Sequence, residues 1–215
     1  MTHPPTTRIF AIRHGETAWN VDTRIQGQID IPLNDTGHWQ ARRLGQALEA
    51  EGIVALYASD LARAQQTAQA LGQALSLPVH LDAGLRERAF GCFEGCTHSE
   101  IETRWPLDAR RWRQREPDFG PDGGETLTDF YRRCVGAAEQ LAHRHAGQSI
   151  ALVAHGGVLD CLYRAATRQA LHAPRTWSIS NASINRLLHT PDGFTLVGWN
   201  DDRHLAGLSA DDIAA

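Results

Sequence analysis

A chain of 215 residues, 42% hydrophobic and 21% charged, has the size and composition of one large soluble domain. Such a domain buries roughly 70% of its unfolded surface and needs no disulfide staples. A net charge of -4 argues against a general electrostatic grip on nucleic acid or an acidic membrane.

The first strand expected is RIFAIR, ending at Arg13, and the turn HGETAWN follows it. TGHWQARRLGQALEAEG has helical spacing and a closing Gly52. IVALYAS reads as a second strand, followed by the helix DLARAQQTAQALGQAL, for which Ser59 or Asp60 is the expected N-cap. PVHLD is a third strand. The stretch Gly91 to Gly124 breaks the pattern, with Trp105, Trp112, three prolines and the cluster Arg110, Arg111, Arg113 and Arg115. It reads as an inserted, partly helical, cap-like excursion at about 91–124, of the kind that covers active sites. ETLTDFYRRCVGAAEQLAHRHA is the longest helix candidate, SIALVAH the most buried-looking strand and GVLDCLYRAAT its helix. INRLLHT and FTLVGWN flank Pro191-Asp192-Gly193, a hairpin signal. Strands alternating with helices indicate an α/β fold. The expectation is one three-layer domain over residues 1–215, with a mostly parallel central sheet flanked by helices.

The polar residues at the strand ends point to chemistry. Arg13 and His14 follow the first strand, Arg63 lies in the first turn of the helix after the second, Glu87 follows the third in LRERAFG, and His155 follows SIALVA. In open α/β sheets ligands bind beyond the carboxyl ends of the strands. Taken singly, each has an ordinary explanation as a turn histidine, a solvated helix arginine, a surface carboxylate or a core histidine. Taken together they form a phosphoryl-transfer set. Two guanidiniums and a protonated imidazole would neutralise the nonbridging oxygens. A neutral imidazole is nucleophilic, and a carboxylic acid could protonate the leaving alkoxide and then take a proton from water. This chemistry requires no metal and no cofactor. With no lysine in the chain, Schiff-base chemistry and a P-loop lysine are excluded, and every permanent cation is a planar fork suited to phosphate.

RHGETAWN, SDLARAQQTA, LRERAFGCFEG and LVAHGG, in that order, resemble the motifs of the histidine phosphatase (phosphoglycerate-mutase-like) superfamily over about residues 8 to 200. The resemblance implies the same α/β fold. It makes His14 the phosphorylated nucleophile, Arg13, Arg63 and His155 the phosphate pocket, and Glu87 the proton donor. Asn20 becomes a further phosphoryl contact; Gln26, Gly27 and Gly156 become substrate-binding positions. Cofactor-dependent mutases usually carry Gly-Asn where this chain has Gly156-Gly157, and LNE where it has LRE; their segment between the acid and second histidine is also longer. DGGETLTDFYRR looks like the small-phosphatase branch. The reading favoured is hydrolysis of a small phosphorylated metabolite. The alternatives are a phosphoglycerate mutase and a non-catalytic phosphate-binding module. The tail SISNASINRLLHTPDGFTLVGWNDDRHL resembles bacterial mutase-like proteins.

Cys92, Cys96, Cys134 and Cys161 lack zinc-ribbon or oxidoreductase spacing, although Cys92 and Cys96 could share a helix face. Free thiols, the absence of a signal-peptide core in MTHPPTTRIF and the absence of a bilayer-length apolar run point to a cytoplasmic protein. His3, His38, His80, His98, His143, His145, His172, His189 and His204 match no ligand spacing. The terminal hairpin or the two-tryptophan excursion could form a homodimer surface.

Overall fold

The computed structural model describes residues 5–207, so His3 lies outside the described residues. In chain order the elements begin β1 (Thr7–Arg13), the single turn α1 (Ala18–Val21), α2 (Asp35–Leu48), β2 (Ile53–Ala58), α3 (Ala62–Leu75) and β3 (Val79–Leu81). They continue with α4 (His98–Arg104), α5 (Pro106–Arg113), α6 (Leu127–Arg144), β4 (Ser149–Ala154), α7 (Gly156–Thr167), β5 (Ile184–Thr190) and β6 (Gly193–Asp201). The six strands form one sheet in the order β3-β2-β4-β1-β5-β6. The first four run parallel, and β5 and β6 add an antiparallel hairpin.

Side-chain alternation explains the three layers. Along β1, Ile9 and Ala11 enter one buried cluster and Phe10 and Ile12 the other. Along β4, Ile150, Leu152 and Ala154 share the first cluster; Ala151 and Val153 share the second. A strand apolar on both faces must be covered on both. The first cluster is closed by Phe130, Cys134 and Leu141 of α6 with Leu159 and Leu162 of α7. The second is closed by Leu44 and Leu48 of α2 with Ala64, Ala68 and Leu71 of α3. No helix among the described residues is long and apolar enough to cross a membrane.

Local signals set most boundaries. Asn34 caps α2 by accepting the Gly37 N–H at 2.8 Å, and Gly52 closes the following turn in the left-handed region at φ 64°. The start of α3 differs from expectation. Its N-cap is Leu61, which has no capping side chain, and the Ala62 N–H donates instead to Asp30 Oδ1, at 2.6 Å, from a distant loop. Asp60 is held by a bidentate contact from Arg86 at 2.7 and 2.6 Å, and Ser59 Oγ accepts the Leu61 N–H at 3.3 Å. The cap is therefore tertiary, and neither Ser59 nor Asp60 supplies it.

Residues 91–124 carry α4 and α5 around a small apolar cluster of their own: Phe93, Cys96, Ile101, Ala109 and Phe119. Cys92 and Cys96 share no helix face, because Cys92 sits in the 3-10 turn Gly91–Phe93 and Cys96 outside any helix. All four cysteines are free thiols. Trp105 packs at 5.5 Å from Phe93. The arginine cluster divides by partner: Arg111 pairs with Glu116, Arg113 with Glu102, and Arg115 with Asp160 of α7 at 2.6 Å. Asp160 also accepts from the fully buried Arg164 at 3.0 Å. Arg115 thus ties the segment to the body of the fold.

Candidate active site

The parallel register of β1 and β4 builds the centre of the site. Arg13 lies opposite Ala154, so the residue after each strand is a histidine, and the rings of His14 and His155 stand 5.2 Å apart between centroids. The His14 N–H donates to Ala154 O at 3.0 Å. Its ring Nδ1 lies 2.7 Å from Gly15 O. A carbonyl only accepts, so Nδ1 carries the hydrogen and Nε2 presents a lone pair. The loop behind it is pinned by Thr67 Oγ1, which accepts the Gly15 N–H at 3.0 Å.

Both arginines reach this point. Arg13 donates from one terminal nitrogen to Ile179 O at 2.6 Å. Arg63 donates to Gly27 O at 2.7 Å and Ile29 O at 3.0 Å, holding the loop that carries Gln26. The Nε of each is buried without a hydrogen-bond partner among the described residues, as are both ring nitrogens of His155. Buried donors are ordinarily satisfied. The two guanidinium Nε donors and the one N–H of His155, unpartnered beside the His14 ring, therefore mark a place for an acceptor-rich, anionic group.

Electrostatics keep the imidazoles uncharged. Burial, then Arg63 and Arg13, holds His14 well below its usual range. Burial, then Arg63, His14 and Arg13, does the same to His155. Burial and the neighbouring cations disfavour a charge on His155, and a neutral ring donates from one nitrogen only. Burial also lowers Arg13 to about 10, with Glu87 opposing the shift.

These depressions have a thermodynamic consequence. Below the unfolded histidine range the unfolded chain binds protons that His14 and His155 do not, so stability falls as pH drops from about 7 to 5, by up to about 1.4 kcal/mol per pH unit for each ring. Urea titrations at several pH values should show a shallower slope for His155→Gln than for the parent. His189 and His204 are also lowered by burial and contribute equally to both proteins, so the difference isolates His155. Identical slopes would show that His155 binds protons alike in the folded and unfolded protein.

Glu87 faces the same cavity. Its Oε1 accepts the Arg88 N–H at 2.8 Å and its Oε2 the Gly157 N–H at 3.0 Å. A Cβ at position 157 would meet Glu87 Oε1, so glycine there lets the carboxylate approach the first turn of α7. Arg13, His14, Asn20, Gln26, Gly27, Arg63, Glu87 and Gly156 together line a cavity of about 360 Å³. His155 does not line it; it is 0% exposed and lies against His14. Asn20 Oδ1 is occupied by Thr17 and by Asn181 Nδ2 at 3.2 Å, which leaves its amide nitrogen as the end available to a ligand. Gln26 Oε1 is buried without a partner.

Several contributors escaped the sequence reading. Asn181 Nδ2 binds His14 O at 3.1 Å and Gly15 O at 3.3 Å, bracing the nucleophile loop. Arg175 and His98 line the cavity, as does Trp112. A second cavity of about 490 Å³ adjoins the first through Glu87, Phe90, His98, Trp112, Gly157 and Arg175. Nothing in APRTWS or in SNAS distinguishes Arg175 or Asn181 by spacing. Among the described residues, no group of three His, Cys, Asp or Glu side chains is placed to hold a metal ion.

The chain is similar to known proteins over most of its length. The profile of the histidine phosphatase superfamily (branch 1) matches residues 9–202. Phosphoglycerate mutase-like protein 4 of Arabidopsis thaliana is 37% identical over 201 residues, covering 92% of this chain and 86% of its own. The metal-independent phosphoserine phosphatase of the same plant is 34% identical over 94% of this chain and 84% of its own. Among solved structures, a mycobacterial glucosyl-3-phosphoglycerate phosphatase in complex with VO3 superposes with a TM-score of 0.82 at 31% identity, covering 91% of this chain and 99% of its own.

Proposed function

Because the chain belongs to the histidine phosphatase superfamily, we propose that it hydrolyses small phosphomonoesters through a phosphohistidine on His14, with Glu87 as proton donor. The observation that carries this reading is the ring of unpartnered buried nitrogens on Arg13, Arg63 and His155 around a neutral imidazole. In the first step His14 Nε2 attacks phosphorus and the ester P–O bond breaks. Glu87, in its acid form, gives its proton to the departing alcohol oxygen. In the second step water attacks phosphorus, Glu87 takes a proton from it, the P–N bond breaks and inorganic phosphate leaves. Arg13, Arg63, the amide of Asn20 and the N-terminal end of α7 at Gly156 stabilise the charge on the nonbridging oxygens throughout. Neither a metal nor a cofactor enters this sequence of steps.

Hydrolysis is favoured over transfer to a bound glycerate because the adjoining cavity would leave water beside the phosphohistidine once a small alcohol departs. The named phosphatase relatives, acting on phosphoserine and glucosyl-3-phosphoglycerate, supply phosphomonoesters for a first panel. Incubation with 3-phosphoglycerate and with p-nitrophenyl phosphate is expected to release inorganic phosphate. Accumulation of 2-phosphoglycerate would make the protein a mutase, and silence on the whole panel would make it a binding module.

A further inference from the structure

The second cavity carries features that phosphoryl transfer does not use. At about 490 Å³ it falls in the range of pockets for ligands well above the size of glycerate or serine, roughly 300–1,000 Å³. Phe90, Leu127, Phe130 and Trp112 supply apolar and aromatic wall. The exposed His98 imidazole stacks on the Trp112 indole, 5.0 Å between centroids and 14° from coplanar, and both rings line both cavities. Backed by the indole, His98 forms a flat shelf at the seam where an alcohol must lie when its phosphoryl group is at His14.

Charge at the same seam is not balanced. Among the cations lining the larger cavity, Arg113 and Arg115 hold carboxylates and Arg88 donates to Glu125 O and Phe119 O. Arg175 also lines both cavities and is exposed, and it has no ion-pair partner among the described residues. Its charge is felt at Arg13. A guanidinium fork at this seam suits a carboxylate or second phosphate on the alcohol, beside the phosphoryl group that Arg13 and Arg63 face.

We infer that the leaving-group compartment selects ring-bearing alcohols with a second anionic group, the ring lying on the His98–Trp112 shelf and the anion on Arg175. This rests on the phosphatase reading above and assigns His98, Trp112 and Arg175 as specificity-determining residues. The chemistry of the step is unchanged.

The test compares 4-carboxybenzyl phosphate, its neutral 4-carbamoyl analogue and O-phosphoserine, with kcat/KM for each. The benzylic carbon insulates the leaving oxygen from the ring substituent, so the two benzyl esters differ in charge and not in intrinsic reactivity. The parent protein is expected to prefer the carboxylated ester over the carbamoyl ester by about tenfold or more. Arg175→Gln should collapse that ratio towards unity and Arg175→Lys restore part of it. His98→Ala should lower both benzyl esters relative to O-phosphoserine. Arg175 and His98 are exposed, so folding is not at stake. A ratio near unity in the parent, a ratio that survives Arg175→Gln, or a preference for O-phosphoserine over both ring esters would overturn the inference while leaving phosphatase activity intact. If even p-nitrophenyl phosphate released no phosphate, the phosphatase reading would fall first and the inference with it.

Discussion

Replacing His14 by alanine is expected to abolish phosphate release and phosphoenzyme together, with a fall in turnover on the order of 10⁴-fold or more. The reason lies in what the remaining groups can do. Arg13, Arg63 and the start of α7 would still bind a phosphoryl group, but the Nε2 lone pair that attacks it would be gone. The second imidazole is no substitute, because His155 is fully buried and lies outside the cavity wall. Water attacking directly would have to be activated by Glu87 while Glu87 also protonates the leaving oxygen, and one carboxyl group cannot do both at once. The residual rate is therefore that of a charged pocket without its nucleophile. Brief exposure of the parent to phosphate-labelled substrate, followed by quenching, should trap label that is lost in acid, as a P–N bond is, and absent from His14→Ala. His14 is 3% exposed, so circular dichroism and a melting curve must accompany the assay. Undiminished turnover by a folded His14→Ala protein, or label found on another residue, would remove His14 from the nucleophile's role.

The parts of this site that were legible in the sequence are those encoded by position along the chain. RIFAIR and SIALVAH are apolar on both faces, which places them in the sheet interior, and the residue that ends each run must emerge at the sheet's carboxyl rim. Arg13 and His14, and His155 with its two glycines, follow from that alone. What could not be read is what depends on partners distant in sequence. The start of α3 is satisfied by Asp30, a residue some thirty positions earlier, so a search among its immediate neighbours could only misplace the cap. The charge state of His155 depends on Arg13, Arg63 and His14 converging on a water-poor point, and no pattern of residues along β4 announces it. Asn181 and Arg175 sit in an irregular stretch between α7 and β5. Irregular backbone has no period, so neither residue could be assigned a direction from sequence. Trp112 shows the same limit in another form: its contact with Phe93 is ordinary packing, whereas its stacking on His98 exists only because α4 and α5 fold against each other.

Glu87→Gln should separate substrates by leaving group. For alkyl phosphates the departing oxygen is a strong base, and removing its proton source is expected to cost roughly 10²–10⁴-fold in kcat/KM. For p-nitrophenyl phosphate the departing oxygen needs no proton, and the loss should be small. A plot of log kcat/KM against leaving-group pKa should steepen in the variant. The choice of kcat/KM matters, because Glu87 is also the group that takes a proton from water in the second step. That step follows the departure of the alcohol, so it affects kcat but does not enter kcat/KM. Glutamine keeps the size of the side chain, but not both acceptors: only one of the Arg88 and Gly157 N–H groups now bound by the carboxylate can still find an oxygen. A lost anchor would lower all substrates by a common factor, whereas a lost proton donor lowers them in order of leaving-group basicity. Equal losses on alkyl and activated aryl esters would therefore make Glu87 a positioning residue and require another acid.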